Sequence, residues 1–272
     1  MNKLTKCILP VAGFGTRFLP VTKSVPKELL PIRAKPLIQF SVEESMEAGI
    51  RDFVLVLNKH KYALKDFFKE HEDLDRLING TNKVKMVEDL NAIIEKCSFS
   101  YIEQNNMLGL GDAIYQAKDF INNESFAVIL PDDFCHNNGP LIIKQMADLS
   151  EKFPGKCIVA VEEVDSKRVS NYGVIGGIKL QGKKDLFLVN EMIEKPEAHK
   201  APSNLAIIGR YILTHDIFKT LEKVKPDKNG EIQITDALKE LAKKGNVLAY
   251  KFKGTRIDCG SVDGFIEANN YV

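Results

Sequence analysis

The chain has 272 residues, 44% of them hydrophobic and 28% charged. That is enough apolar material for a sizeable core, in one large domain or two modest ones. Lys and Arg number 38 against 37 Asp and Glu, a formal net charge of +1 that argues against a general nucleic-acid coat protein. Five cysteines lie at 7, 97, 135, 157 and 259. Their odd number and wide spacing predict neither a disulfide framework nor a CxxC zinc site, and point to a reducing, cytoplasmic compartment. The apolar run after Lys6 breaks at Pro10, too short for a secretory signal, and no stretch approaches the ~20 apolar residues of a membrane helix. No nucleic-acid or membrane partner is expected.

Apolar runs and helical patterns alternate along the first half. Residues 6–12 read as a buried strand, 41–48 as a helix stopped at Gly49, 52–58 as a second strand and 61–70 as a helix. Residues 71–95 are polar and helix-prone without a sharp apolar stripe, and read as a surface insertion. A strand at 98–104, a helix at 112–120, a strand at 125–131, a helix at 141–152 and a strand at 156–164 follow. Such alternation predicts βαβ units and a mainly parallel sheet flanked by helices. Two strand-like runs meeting near residues 181–184 then predict an antiparallel hairpin. A strand at 205–213, helices at 215–223 and 234–244, a strand at 247–252 and a helix from about 262 complete the chain. The simplest reading is one α/β domain over residues 1–272.

Charge is unevenly spread. Within residues 1–36, Lys3, Lys6, Arg17, Lys23, Lys27, Arg33 and Lys35 face a single acid, Glu28. The segment "LPVAGFGTRFLPVTKSVPKELLP" (9–31) follows the first strand and carries Gly13 and Gly15. Glycines there let backbone N–H groups approach an anion closely. Phe18 occupies the position where a dinucleotide fingerprint needs its third glycine, and no Walker A sequence occurs. What remains is a glycine loop with Arg17, a fixed fork suited to phosphate oxygens, and Lys27, a mobile point charge.

"GFGTRFLP" followed by "PKELLP" closely resembles the signature of bacterial sugar-1-phosphate nucleotidylyltransferases. The resemblance continues in order through "EQNNMLGLGDAI" (103–114), "VILPDD" (128–133), "NYGVIGG" (171–177), "EKP" (194–196), "NLAIIGRYIL" (204–213), "GEIQITDAL" (230–238) and "IDCGS" (257–261). It implies transfer of the uridylyl group of UTP to glucose 1-phosphate, giving UDP-glucose and pyrophosphate. A phosphate monoester has a second pKa of about 6, so it attacks as a dianion and needs no general base. The difficulty is repulsion between two polyanions, answered by cations, a metal and positioning. No Ser-His-Asp or Cys-His arrangement is required.

The resemblance assigns Arg17 and Lys27 to the triphosphate and leaving pyrophosphate, and Lys195 to the sugar phosphate. It places Ala12, Gly13, Gly15 and Glu28 around the nucleotide, and Gln104 with the Gly109 backbone at the base. An amide carries a donor and an acceptor side by side, so Gln104 can pair with a uracil edge. Tyr172, Gly173 and Glu194 fall to the sugar. Asp132 and Asp258 are the implied Mg²⁺ ligands, with Asp132 and Asp133 expected at the end of the fourth strand, where α/β sheets bind ligands. One departure stands out: Asp112 replaces the His common in the family's "GLGHA" block. Homo-oligomers, dimeric or tetrameric, are implied as well. Thymidylyl transfer to the same sugar phosphate and a non-catalytic nucleotide-sugar binding protein are the competing readings; Phe18 disfavours a nicotinamide oxidoreductase.

Overall fold

The computed structural model describes residues 3–272. Its strands are β1 (Lys6–Pro10), β2 (Pro31–Ile32), β3 (Lys35–Pro36), β4 (Asp52–Leu57), β5 (Ser98–Glu103), β6 (Phe126–Ile129), β7 (Asp133–His136), β8 (Cys157–Glu163), β9 (Gly173–Lys179), β10 (Leu186–Glu194), β11 (Leu205–Leu213), β12 (Val247–Lys251) and β13 (Thr255–Asp258). The helices are α1 (Leu37–Glu47), α2 (Tyr62–Phe67), α3 (Glu72–Ile78), α4 (Val84–Lys96), α5 (Gly109–Gln116), α6 (Ile142–Lys152), α7 (Asp216–Leu221), α8 (Ile234–Ala242) and α9 (Val262–Tyr271).

Nine strands form one mixed sheet in the order β5-β4-β1-β6-β11-β8-β12-β10-β9. β5, β4, β1 and β6 run parallel, as the βαβ alternation predicts. β11 enters antiparallel between β6 and β8, and β9 and β10 form the expected hairpin around Gly182. Successive strand residues face opposite sides. Ile8, Val54 and Val56 pack with α5, α7 and α8 on one face, while Cys7, Leu9, Phe53 and Leu55 pack with α1 and α6 on the other. Both faces are covered, which is why these strands read as continuous apolar runs rather than alternating ones.

Three local outcomes differ from the sequence reading. Helix α1 begins at Leu37, directly after Pro36, four residues before the expected start. Its first turns are buried on several sides (Leu37, Ile38, Ser41, Glu44), so no single apolar stripe marks them. The segment 71–95 is organised as α3 and most of α4, held to the body by Ile78 and Ile93. The strand expected at 125–131 ends at Ile129; a turn holds Asp132, and Asp133 opens a separate strand, β7. β7 and β13 form their own two-stranded ribbon in which Asp133 lies opposite Asp258. It is this ribbon, and not the large sheet, that brings the two distant acid blocks together.

Arg210 fixes the turn. It lies in the fully buried β11, where an ion needs compensation. Its guanidinium meets both oxygens of Glu44 on α1, at 2.9–3.1 Å, and donates to the backbone oxygens of Leu130 (3.1 Å) and Asp133 (2.8 Å). The Cys259 N–H closes the arrangement on the Asp132 carbonyl at 2.7 Å. The backbone around Asp132 is therefore held from three directions.

Candidate active site

The loop after β1 leaves the carboxyl edge of the sheet and turns at Gly15, which adopts φ 65°. A side chain there would be strained, and its Cβ would lie 3.0 Å from Lys27 Cβ. The turn is tied by Thr22 Oγ1 donating to the Gly15 carbonyl at 2.8 Å. Ala12 is buried, its carbonyl accepting from Asn58 Nδ2 at 2.5 Å, whereas Gly13 faces open space. Short 3-10 turns then project Arg17 and Lys27.

Both cations reach the backbone and side chains that flank the acid ribbon. Lys27 Nζ lies 2.5 Å from Asp132 Oδ2, and Arg17 donates to the Gly260 carbonyl at 3.3 Å. The backbone at Gly260 marks the point of convergence. A Cβ placed there would lie 3.0 Å from Asp258 Oδ1, 3.3 Å from Asp132 Oδ2 and 3.6 Å from an Arg17 guanidinium nitrogen. Burial would push the Asp132 carboxyl up, but Lys27 outweighs it and holds Asp132 below the usual carboxylate range. Burial likewise disfavours the Lys27 ammonium, yet Asp132 and Glu28 outweigh it and raise Lys27 above its usual value.

A cleft of about 360 Å³ opens beside this point. Asp132, Asp258, Tyr172, Gly173, Glu194 and Lys195 all line it. Glu194 Oε2 accepts from Thr235 Oγ1 at 2.6 Å, which fixes its orientation from α8. Lys195 has φ 45°, uncommon for a residue with a side chain, and its N–H donates to the Tyr172 carbonyl at 3.0 Å. This strained corner leaves the Lys195 side chain more than half exposed at the mouth of the cleft.

Gln104 follows β5 and Gly109 opens α5; of this block it is Leu110, next to Gly109 in the chain, that lines the cleft. The glycines of this block answer a packing demand. A Cβ at Gly111 would lie 2.6 Å from the Ile232 carbonyl, to which the Gly111 N–H donates at 2.8 Å. Gln104 is buried, and both hydrogens of its amide are engaged: Nε2 donates to Asp112 Oδ2 at 2.7 Å and to the Gly109 carbonyl at 3.2 Å. In the chain itself the amide donors of Gln104 are therefore already engaged, and its oxygen is the group without a partner among the described residues.

Glu28 is turned inward. It is 2% exposed, and Lys61 Nζ donates to both its oxygens at 2.7 and 2.8 Å. Burial raises the Glu28 carboxyl and lowers the Lys61 ammonium, each opposed by the other's charge. The Glu28 carboxylate is thus held by Lys61, and its charge also favours the neighbouring Lys27 ammonium.

Arg256 is the residue sequence reasoning missed. Its guanidinium donates to Asp133 Oδ1 (2.6 Å), Glu162 Oε1 (3.0 Å) and the Tyr172 hydroxyl (3.2 Å), and reaches Asp258 Oδ2 at 3.6 Å. Burial opposes its charge, but Asp133 and the other acids outweigh it and hold Arg256 above its usual value. The signal was present in "TRID": strand alternation puts residues 256 and 258 on one face. Asp133, paired to Arg256 and accepting from the Gly209 N–H at 2.7 Å, is a framework acid. That separates it from its neighbour Asp132.

Asp132 and Asp258 are the residues that could hold a metal. Two carboxylates converging beside open space suit Mg²⁺, which keeps water and phosphate ligands instead of an all-protein cage. No group of three or more His, Cys, Asp or Glu side chains with metal-site geometry occurs among the described residues.

The family model for nucleotidyl transferases matches residues 6–272. The UTP–glucose-1-phosphate uridylyltransferase of Pseudomonas aeruginosa is 50% identical over 98% of this chain and 95% of its own. A second relative, UTP–glucose-1-phosphate uridylyltransferase 2 of Staphylococcus saprophyticus, is 44% identical over 98% of this chain and 91% of its own. A crystal structure of UDP-glucose pyrophosphorylase complexed with UDP-glucose superposes with a TM-score of 0.91 at 50% identity, covering 98% of both chains. Its phosphate-suited loop, its convergent acids and its near-complete match place this chain in the nucleotidyl transferase family, and it is an enzyme of that family.

Proposed function

We propose that this enzyme transfers the uridylyl group of UTP to glucose 1-phosphate, giving UDP-glucose and pyrophosphate. The convergence of Arg17, Lys27, Asp132 and Asp258 at Gly260, on the rim of the Tyr172–Glu194–Lys195 cleft, carries the reading. The 50% identity to a uridylyltransferase over nearly the whole chain supports the choice of substrates.

An oxygen of the sugar phosphate attacks the α-phosphorus in line, and the bond from that phosphorus to the bridging oxygen of pyrophosphate breaks. No proton has to move, because the attacking group is already dianionic. The chain's task is therefore electrostatic and positional. Arg17 and Lys27 neutralise the triphosphate and the departing pyrophosphate. Lys195 steadies the sugar phosphate from the opposite rim. Glu194, oriented by Thr235, and the Tyr172–Gly173 backbone accept and give hydrogen bonds to sugar hydroxyls. Gly13 leaves room for close approach of the nucleotide, and Ala12 and Gly15 shape the loop around it. Asp132 and Asp258 would hold Mg²⁺, which when bound supplies positive charge to the phosphate oxygens.

No helix among the described residues is long and apolar enough to cross a membrane. The five cysteines are all free, which supports a cytoplasmic enzyme. Val262 and Ile266 leave apolar surface on α9, which supports a homo-oligomer, dimeric or tetrameric.

Thymine differs from uracil by one methyl, and a single such group discriminates by roughly 10–200-fold. The specificity constant kcat/KM for UTP is expected to exceed that for dTTP by at least about tenfold. A preference for dTTP would move the assignment to thymidylyl transfer.

A further inference from the structure

Asp112 has no place in the chemistry above, yet it is buried in the first turn of α5 and fully occupied. Its Oδ2 accepts from Gln104 Nε2 at 2.7 Å, and its Oδ1 accepts from Gln116 Nε2, one helical turn on, at 3.1 Å. The other acceptor on the Gln104 nitrogen is the Gly109 carbonyl. A carboxylate and a backbone carbonyl are acceptors only, so the Gln104 atom facing them is its nitrogen, and both its hydrogens are spent. Gln104 Oε1 makes no hydrogen bond with any described residue. No buried side-chain nitrogen or oxygen lacks a partner, so Oε1 must reach solvent. Gln104 thus offers its surroundings one group, a hydrogen-bond acceptor with a fixed direction.

We infer that Asp112 is a positioning residue that sets base specificity, by holding the Gln104 amide with its nitrogen inward and its oxygen toward the nucleobase. The inference rests on the uridylyl-transfer reading. Uracil and thymine present an N3–H donor at the centre of their pairing edge, which the Oε1 acceptor complements. Cytosine presents a bare N3 acceptor there, which meets Oε1 lone pair to lone pair. A site built to hydrogen-bond one group rejects an analogue that lacks it far more strongly than an apolar pocket rejects a methyl. Discrimination against cytosine then comes from two residues, one of which never touches the base.

The test is Asp112→Asn, assayed with UTP and with CTP at saturating glucose 1-phosphate. The introduced carboxamide can turn either its oxygen or its nitrogen to Gln104, so only the longer bond to the Gly109 carbonyl, at 3.2 Å, still favours the wild-type orientation. The wild type is expected to prefer UTP over CTP by at least about 10³ in kcat/KM. The variant should narrow that ratio by at least about tenfold, mainly through a raised KM for UTP. A residue that merely stabilises α5 would lower both constants together, and an unchanged ratio in a folded variant overturns the inference. Should the variant not fold, wild-type enzyme with 3-deazauridine triphosphate, which has C–H in place of N3–H, decides. A drop of at least about tenfold against UTP supports the inference, and equal constants overturn it. Absence of wild-type turnover with UTP would instead overturn the uridylyl reading, and the inference with it.

Discussion

Asp132→Ala is expected to lower kcat by about 10³-fold or more, equivalent to roughly 4 kcal/mol of transition-state stabilisation. The size follows from where the carboxylate stands. Asp132 Oδ2 lies at the point where Asp258, Arg17 and Lys27 meet, so its loss removes one of two metal-holding groups and unbalances the cations. Stability should change little. The Lys27–Asp132 pair is partly solvated, and such pairs contribute about 0–1 kcal/mol. Deleting one acid also relieves its repulsion with Asp133 and Asp258. Steady-state turnover and thermal unfolding of the same preparation separate the two effects. Near-normal turnover by a folded variant would remove Asp132 from the reaction.

Arg256→Met should behave in the opposite way, with a loss of stability of about 3–5 kcal/mol, because it leaves buried carboxylates uncompensated. Asp133, Glu162 and Asp258 all face this guanidinium. Turnover should fall with it, since Arg256 also donates to the Tyr172 hydroxyl and stacks over its ring at 5.2 Å. The deficit should depend on pH with a definite sign. Burial already raises the Glu162 carboxyl, and Arg256 is the largest of the charges that oppose this. Without Arg256, Glu162 and Asp133 titrate in the folded state above their unfolded values. The folded variant then binds protons that its unfolded chain does not, so lowering the pH stabilises it. Denaturant unfolding at pH 8 and pH 5 should show a smaller difference from wild type at pH 5. An equal difference at both would mean that packing, and not charge, is what Arg256 supplies.

Much of this architecture was legible because periodicity and composition act locally. The parallel strands at 6–12 and 52–58 were continuous apolar runs, and burial on both faces makes them so, whereas the edge strand at 98–104 alternates polar and apolar residues. The glycine loop with Arg17 and Lys27 was readable because few residues other than glycine tolerate the Gly15 backbone. What could not be read depends on distant pairings. Asp258 reaches Asp132 through a four-residue ribbon that has no apolar period of its own. Glu28 is an acid in a basic loop and looks like a ligand group until Lys61, contributed by the segment after β4, claims both its oxygens. Arg210 sits in "IIGRYIL", where a lone charge in a buried strand signals a partner without naming Glu44. The engagement of the Gln104 donors by Asp112 and the Gly109 carbonyl is hidden for a similar reason.

The central claim is that a gathered set of charges lets two polyanions meet and exchange a nucleotidyl group. Pyrophosphate release on mixing the protein with UTP, glucose 1-phosphate and Mg²⁺ tests it most directly. Pyrophosphate and UDP-glucose are expected in equal amounts, with none formed when either substrate or the metal is withheld. Tight binding of both substrates without pyrophosphate, or release that does not require the sugar phosphate, would contradict it.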